Sequence, residues 1–263
     1  MIDNTTSTPR RVVIKIGGSV LTGASAYRRA ARVVADRLCE RPDERILAIV
    51  SAEEGVTDSL LASARDIVGD PDPETLDLLW STGELRSVAL LVFALQALGI
   101  QAAAANVHQT GLFHAPEAAS DTPRFSGAAA STWRNCRLRP LRLRSLLAAA
   151  DVVVAPGFLA RSVGDRVRSL GRGGSDLTAV LLASGLDAGT CELLKDVPGY
   201  FNADPHITPD ATPLEALGYD TAIEMAHQGC GLVHLQALEA ARDLNVRLIV
   251  RGIEGGAGTV VGS

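Results

Sequence analysis

The chain has 263 residues, 47% of them apolar and 21% charged, so it can bury a large core and does not have the composition of a disordered protein. Its formal net charge of −5 argues against a basic surface that binds nucleic acid. The four cysteines form no CxxC pair, which argues against a zinc site or a disulfide framework and favours the reducing cytoplasm.

The beginning of the chain is polar and lacks the apolar segment of a signal peptide. We therefore expect residues 1–10 to form a flexible tail and residues 11–263 to form one domain. Residues 87–108 contain no charged side chain and are long enough to span a bilayer. Because Gln96 and Gly99 interrupt this stretch, it favours a buried helix followed by a strand, with no membrane contact.

Short runs rich in Val and Ile alternate with longer segments of helical period along the chain. Strands are predicted at residues 12–16, 46–50, 101–105, 152–155, 191–194 and 247–250. Helices are predicted at residues 27–40, 57–68, 75–98, 140–149, 175–184, 219–228 and 233–244. This alternation predicts an α/β fold in which helices cover both faces of a mainly parallel sheet.

The first chemistry-bearing segment is the run 12–19, in which a strand leads into Gly17-Gly18. Such a turn exposes backbone N–H groups to phosphate oxygens, although its spacing fits neither the P-loop nor the dinucleotide pattern. Lys15 and Lys195 are the only lysines among 25 basic residues, and each ends a predicted strand. A compact ammonium fits between phosphate oxygens where a guanidinium does not; the alternative is chance retention on the surface.

A second glycine-rich turn, residues 170–176, opens a predicted helix and can also hold an anion. Ser175 or Asp176 is available to cap that helix. Arg172 offers a fork for a carboxylate, and Asp176 can orient a lysine or a metal. The alternative is an ordinary capped helix start.

Two further segments carry polar side chains, and each taken alone is more often a cap than a site. Residues 51–58 place Ser51 and Thr57 after a predicted strand, and Ser81-Thr82-Gly83-Glu84 interrupts a predicted helix with a lone carboxylate. Because ligands collect at the carboxyl ends of strands in α/β sheets, these turns are expected to converge on one crevice.

An arginine-rich segment lies between residues 115 and 144. It predicts either a solvated helix face or subunit contact, or a site for an anionic ligand or partner. Its arginines are Arg124, Arg134, Arg137, Arg139, Arg142 and Arg144.

Seven motifs occur in a fixed order, at residues 15–19, 50–58, 81–84, 156–158, 170–176, 195–199 and 203–205. Together they resemble the catalytic domain of aspartokinases, within the amino acid kinase family. The resemblance implies a three-layer αβα sandwich that transfers a phosphoryl group from ATP to an amino-acid carboxylate. The amino-terminal part would bind the amino acid, residues from about 170 to 263 would bind the nucleotide, and the protein would be a homodimer.

The resemblance also implies roles for individual residues. Lys15 and Asp176 would be catalytic. Phosphate would be held by Gly17, Gly18, Ser19, Gly173 and Gly174. The acceptor would be bound by Ser51, Thr57, Glu84, Arg172 and Ser175. The nucleotide would contact Lys195, Asp196, Phe201, Asp204 and Pro205. Mg²⁺ would arrive with ATP, and no protein metal cage is expected.

The sequence departs from the family pattern at Gly231, where a phosphate-contacting lysine is expected. Aspartokinases continue into regulatory ACT domains where this chain ends at Ser263, so feedback inhibition through such domains is not expected. Three functions stay open. The chain is a kinase for the carboxylate of aspartate or a related amino acid, a homologue that binds ligands without turnover, or a kinase for another acid or phosphate.

Overall fold

A computed structural model describes residues 9–115, 132–205 and 207–262. Most of the predicted tail and Arg124 lie outside the described residues. Arg10, which was assigned to the tail, begins the first strand, so that boundary is wrong by one residue.

The strands of the described residues are β1 Arg10–Ile16, β2 Glu44–Val50, β3 Ala102–Ala104, β4 Leu112–His114, β5 Cys136–Leu138, β6 Val152–Pro156, β7 Leu159–Arg161, β8 Val167–Ser169, β9 Thr190–Lys195, β10 Ala216–Leu217, β11 Arg247–Gly252 and β12 Gly255–Val261. The α-helices of the same residues are α1 Ala24–Glu40, α2 Val56–Ile67, α3 Pro73–Gln96, α4 Val107–Thr110, α5 Leu141–Ala149, α6 Gly174–Gly185, α7 Tyr219–His227 and α8 Leu235–Asp243. All six predicted strands and all seven predicted helices are confirmed.

The main sheet has eight strands within the described ranges, in the order β10-β12-β11-β9-β1-β2-β6-β3. β1 lies at its centre and is parallel to both β2 and β9. The antiparallel pairing of β11 with β12 is an exception to this direction. The mainly parallel sheet is therefore confirmed. A smaller sheet, β5-β4-β7-β8, was not predicted.

The core lies in two layers, one on each face of the main sheet. Because side chains alternate along a strand, Ile14 of β1 faces a cluster with α1 and α3, whereas Val13 faces a cluster with α5, α6 and α8. Val13 and Ile14 are both fully buried. The transfer of each side chain out of water contributes about 1.5–3 kcal/mol to the free energy of folding. The three-layer αβα sandwich is confirmed.

Helix α3 runs without a break through Ser81-Thr82-Gly83-Glu84, so the predicted interruption is wrong. In the described residues α3 is also the one helix that is long and apolar enough to cross a bilayer, judged by length and composition alone. Half of its most apolar window is buried, and it packs against α1 and β6. The buried core helices of other proteins can be equally long and apolar, so α3 is only weak evidence for a membrane span.

The described part of the arginine-rich segment forms β5 and α5. Arg134 pairs with Asp243 at 2.6 Å, and Arg144 pairs with Asp187 at 2.7 Å. These two arginines therefore hold the segment against the ends of α8 and α6. Arg137, Arg139 and Arg142 are exposed.

Candidate functional site

The site lies where the central strands end. β1, β2 and β9 are parallel neighbours, so their carboxyl ends meet at one edge of the sheet. The phosphate turn, defined as Gly17–Ser19, follows β1, and the acceptor loop, defined as residues 51–55, follows β2. Lys195 is the last residue of β9. This edge is the place where α/β sheets bind ligands.

The phosphate turn and the acceptor loop are in close backbone contact. The N–H of Glu54 donates to the carbonyl of Gly18 at 3.3 Å, and the N–H of Ser51 donates to the carbonyl of Ile16, also at 3.3 Å. A Cβ at Gly18 would lie 2.3 Å from the carbonyl oxygen of Ala52. Only glycine therefore permits this approach.

Three charged side chains form the centre of the site. Asp176 binds both lysines of the chain, with Oδ1 at 2.8 Å from Nζ of Lys15 and Oδ2 at 2.9 Å from Nζ of Lys195. None of the three side chains is more than 13% exposed. The predicted contact of Asp176 with a lysine is thus present, and the participation of Lys195 in it was not foreseen.

The charges of this cluster set its ionisation. Burial favours the neutral acid, but the ammonium groups of Lys15 and Lys195 outweigh it and hold the pKa of Asp176 well below its usual range. Burial lowers the pKa of Lys195, and the charge of Lys15 adds to this effect while Asp176 opposes it. Two cations therefore share one anion, which leaves this cluster of three side chains with a net positive charge.

The second glycine turn leads into α6, but the residue that caps this helix is not one of those predicted from the sequence. The residue that caps α6 is Gly173, which has a φ of +71° and makes no side-chain capping bond. The suggested capping by Ser175 or Asp176 is wrong, because the Asp176 carboxylate is directed to the lysines instead. Arg172 is exposed within this turn, and Gly174 is buried behind it.

The candidate acceptor residues come from three elements. Ser51 lies in the acceptor loop, Thr57 opens α2, and Glu84 lies on α3. The indole N–H of Trp80 donates to the carbonyl of Thr57 at 3.2 Å, which ties α2 to α3. This bond holds the first turn of α2 against α3.

Glu84 is the most unusual of these residues. It is only 4% exposed, and its Oε2 atom has no hydrogen-bond partner among the described residues. Burial raises the pKa of Glu84 to about 8, although the N–H of Ala52 and the charge of Lys15 act in the opposite direction. The carboxyl group is therefore mostly protonated at neutral pH.

The candidate nucleotide residues follow β9. Asp196, Asp204 and Pro205 are exposed, and Phe201 is half-buried where its backbone pairs with Pro213. They continue the chain directly from Lys195. Burial lowers the pKa of Lys195, and the charge of Asp196 acts on Lys195 in the opposite direction. The place of these four residues in a nucleotide site stays a prediction.

The chain is similar to known proteins over most of its length. A model of the amino acid kinase family matches residues 10–252. The chain belongs to the amino acid kinase family. The aspartokinase of Mycolicibacterium smegmatis is 37% identical to it over 243 residues, which are 91% of this chain and 54% of that protein. The chain thus spans about half the length of the curated relatives it matches.

Solved structures of this family agree with the fold. The chain superposes on an aspartate kinase from Synechocystis with a TM-score of 0.80 and 30% identity, covering 96% of this chain and 40% of that one. It also superposes on E. coli aspartokinase III in complex with aspartate and ADP, with a TM-score of 0.75 and 23% identity, covering 96% of this chain and 64% of that one. The second likeness bears on the fold alone.

Gly231, where the resemblance implies a lysine, lies in the exposed loop between α7 and α8. No atom lies within 4 Å of the position that a Cβ would take there. A lysine side chain would therefore fit at this position without a clash.

His234 was not singled out from the sequence, yet it forms part of the wall of the site. It caps α8, and a Cβ at Gly173 would lie 2.1 Å from its ring. Burial lowers the pKa of His234, which favours the neutral ring. The sequence around Gly173 could not identify this contact, because His234 is distant along the chain.

In the ranges that the structure describes, no group of three or more His, Cys, Asp or Glu side chains is placed to hold a metal ion. The carboxylate of Asp176 is already occupied by two ammonium groups. These contacts make Asp176 a counter-ion of the two lysines rather than a metal ligand.

Proposed function

We propose that the protein transfers the γ-phosphoryl group of ATP to the side-chain carboxylate of aspartate or a related amino acid, and so forms an acyl phosphate. The observation that carries this proposal is the cluster of Lys15, Asp176 and Lys195 between two glycine turns, at the edge where the central strands end. The similarity to aspartokinases supports the same reaction.

Phosphoryl transfer to a carboxylate needs little covalent help from the protein. The acceptor is ionised at neutral pH and can attack the γ-phosphorus without a general base, so positioning and charge neutralisation supply most of the catalysis. Lys15 would neutralise the transferring group and Asp176 would hold Lys15 in place. The backbone N–H groups near Gly17, Gly18, Ser19, Gly173 and Gly174 would bind the phosphate oxygens.

The acceptor would lie between the acceptor loop and α3. Arg172 is exposed at the turn and its guanidinium can bind a carboxylate through two parallel hydrogen bonds. The buried Glu84 would bind the amino group of the substrate, and Ser51, Thr57 and Ser175 would supply hydroxyls. A substrate with both an ammonium and a carboxylate fits this set of side chains.

The nucleotide would bind on the side of residues 170–263, with residues before them forming the acceptor side. Lys195 and Asp196 would contact its phosphates and Phe201, Asp204 and Pro205 its remaining parts. Mg²⁺ bound to ATP would neutralise phosphate charge.

We further infer that the protein is a cytoplasmic homodimer. Four free cysteines, one of them exposed, fit a reducing compartment. Leu78, Leu85 and Phe93 are exposed on α3 at spacings that place them along one face of the helix. An apolar stripe of this kind is typical of a surface that another subunit covers.

The experiment that tests the reaction uses the purified protein, MgATP and a panel of carboxylates, with hydroxylamine to trap acyl phosphates and a separate measurement of ADP. Aspartate should give both hydroxamate and ADP, and succinate, which lacks the amino group, should give much less. The Lys15→Ala variant is the control for contaminating kinases. ATP binding without ADP release for any carboxylate would favour the homologue that binds without turnover, a reading that the absence of lysine at Gly231 supports.

A further inference from the structure

Glu53 lies in the acceptor loop, and its carboxylate contacts two other elements of the fold. Oε2 accepts from the N–H of Gly23, at the start of α1, at 3.4 Å. Oε1 accepts from the hydroxyl of Tyr27 on α1 at 3.1 Å and lies 3.3 Å from Nη2 of Arg86 on α3. The Glu53 side chain is 11% exposed. One carboxylate thus joins the loop to both helices on this face of the sheet.

Tyr27 extends this connection. Its hydroxyl lies 2.9 Å from Oγ of Ser87 on α3 as well as 3.1 Å from Glu53. Burial raises the pKa of Tyr27 to about 12, so the hydroxyl keeps its proton. Because a phenol has one proton, it donates to the Glu53 carboxylate and accepts from the Ser87 hydroxyl. We call Tyr27, Glu53, Arg86 and Ser87 the Glu53 clamp.

The clamp joins the two sides of the proposed acceptor pocket. Ser51 and Thr57 lie on either side of Glu53 in the chain, and Glu84 lies one helical turn before Ser87. The backbone of Ala52 also donates to Glu84. If the acceptor loop shifted relative to α3, the hydroxyl groups of Ser51 and Thr57 would therefore move relative to the carboxyl group of Glu84.

The phosphate turn is held by separate contacts. The loop N–H groups of Ser51 and Glu54 bind the carbonyls of Ile16 and Gly18 through the backbone. These bonds do not depend on the Glu53 side chain. Loss of the clamp should therefore disturb the acceptor side of the site more than the phosphate side.

We propose that Glu53 is a positioning residue that, through Tyr27 and Arg86, sets the geometry of the acceptor pocket. This inference rests on the proposed function in its use of an amino-acid acceptor. It assigns no contact between Glu53 and the substrate.

The test compares Glu53→Ala with Glu54→Ala, which removes the same charge from the next residue of the loop, where the side chain is exposed. Loss of hydrogen bonds to a buried charge should raise the KM for the acceptor about tenfold in Glu53→Ala. The KM for ATP should stay within about twofold of the wild type. Glu54→Ala should resemble the wild type in both.

Glu53→Gln is the rescue variant. Its amide oxygen can still accept from Tyr27, so the KM for the acceptor should return most of the way to the wild-type value. Equal increases in the KM for acceptor and ATP in Glu53→Ala would overturn the proposal. So would an acceptor KM in Glu53→Ala that matches that of Glu54→Ala.

Amide hydrogen exchange tests the clamp separately from the reaction. In Glu53→Ala, peptides covering residues 51–57 should exchange faster than in Glu54→Ala, whether or not the protein turns over aspartate. If the wild type phosphorylates no carboxylate but residues 51–57 still exchange faster in Glu53→Ala than in Glu54→Ala, the proposed function is wrong and the clamp is confirmed. If exchange is unchanged in Glu53→Ala, the clamp is wrong.

Discussion

Asp176 is the single anion that two buried ammonium groups share, so its replacement by asparagine is a direct test of the centre of the site. The variant keeps the shape of the side chain and loses its charge. In the wild type Nζ of Lys15 and Nζ of Lys195 each lie 2.8–2.9 Å from an oxygen of Asp176. In the variant the two ammonium groups would lie close together without the charge of this carboxylate between them.

Removing one partner of a buried ion pair costs about 3–5 kcal/mol. The amide oxygen of the introduced asparagine can still accept one hydrogen bond, so we expect a loss at the lower end, about 3 kcal/mol in the free energy of unfolding. Part of this cost is avoided if one lysine gives up its proton. Lys195 should do so first, because burial and Lys15 already lower its pKa.

This deprotonation gives the loss a pH dependence of known sign. A lysine whose pKa is lower in the folded than in the unfolded state leaves the folded state with fewer protons, so stability rises with pH. Urea unfolding of Asp176→Asn should therefore show its largest deficit near pH 6 and a smaller one near pH 9. A deficit below about 1 kcal/mol with no slope would refute the inference that Asp176 neutralises both lysines.

Three further predictions concern the ligands. Gly231→Lys, which the free space at this position allows, should raise kcat about tenfold or more, because a preorganised donor is worth about 10²–10³ in rate; Gly231→Ala is the control. Arg172→Lys should raise the KM for the acceptor strongly and the KM for ATP little, since an ammonium cannot form the two parallel bonds of a guanidinium. Binding of the acceptor near pH 7 should release close to one proton from Glu84, whose pKa is about 8, and calorimetry in buffers of different ionisation enthalpy measures this.

Each of these predictions has a contrary result. Equal turnover in Gly231→Lys and Gly231→Ala would show that a cation at this place does not assist the reaction. Equal effects on both substrates would assign Arg172 to the nucleotide. Proton release that persists in Glu84→Gln would come from another group.

The raised pKa of Glu84 also means that the free energy of unfolding falls as pH rises from about 4.5 to about 8, and Glu84→Gln should remove this slope.

The sequence predicted the main sheet well because its strands are buried on both faces. Such strands appear as continuous Val- and Ile-rich runs, as in Val152–Pro156, which leave little ambiguity. β12 was missed because it begins Gly-Gly-Ala-Gly, a composition typical of a loop. Four strands of the small sheet have three residues each, too few for a periodic pattern.

The candidate site was predicted less completely. The two lysines stood out by composition, and the glycine turns by their pattern. Their meeting on Asp176 depends on the sheet order, which puts β9 beside β1, and no local pattern contains it. The burial of Glu84 could not be predicted either, since apolar residues are spread around α3, with Leu78 and Phe93 exposed.

Lys15 and Lys195 are the only lysines of this chain, and both lie on one carboxylate. Apart from the amino group at its beginning, the chain therefore offers amine-selective reagents only these two targets. Because such reagents attack the neutral amine, the lowered pKa of Lys195 favours its reaction. A bound phosphate ligand would cover both, so the mass added by an acylating reagent becomes a measure of site occupancy that requires no engineered label.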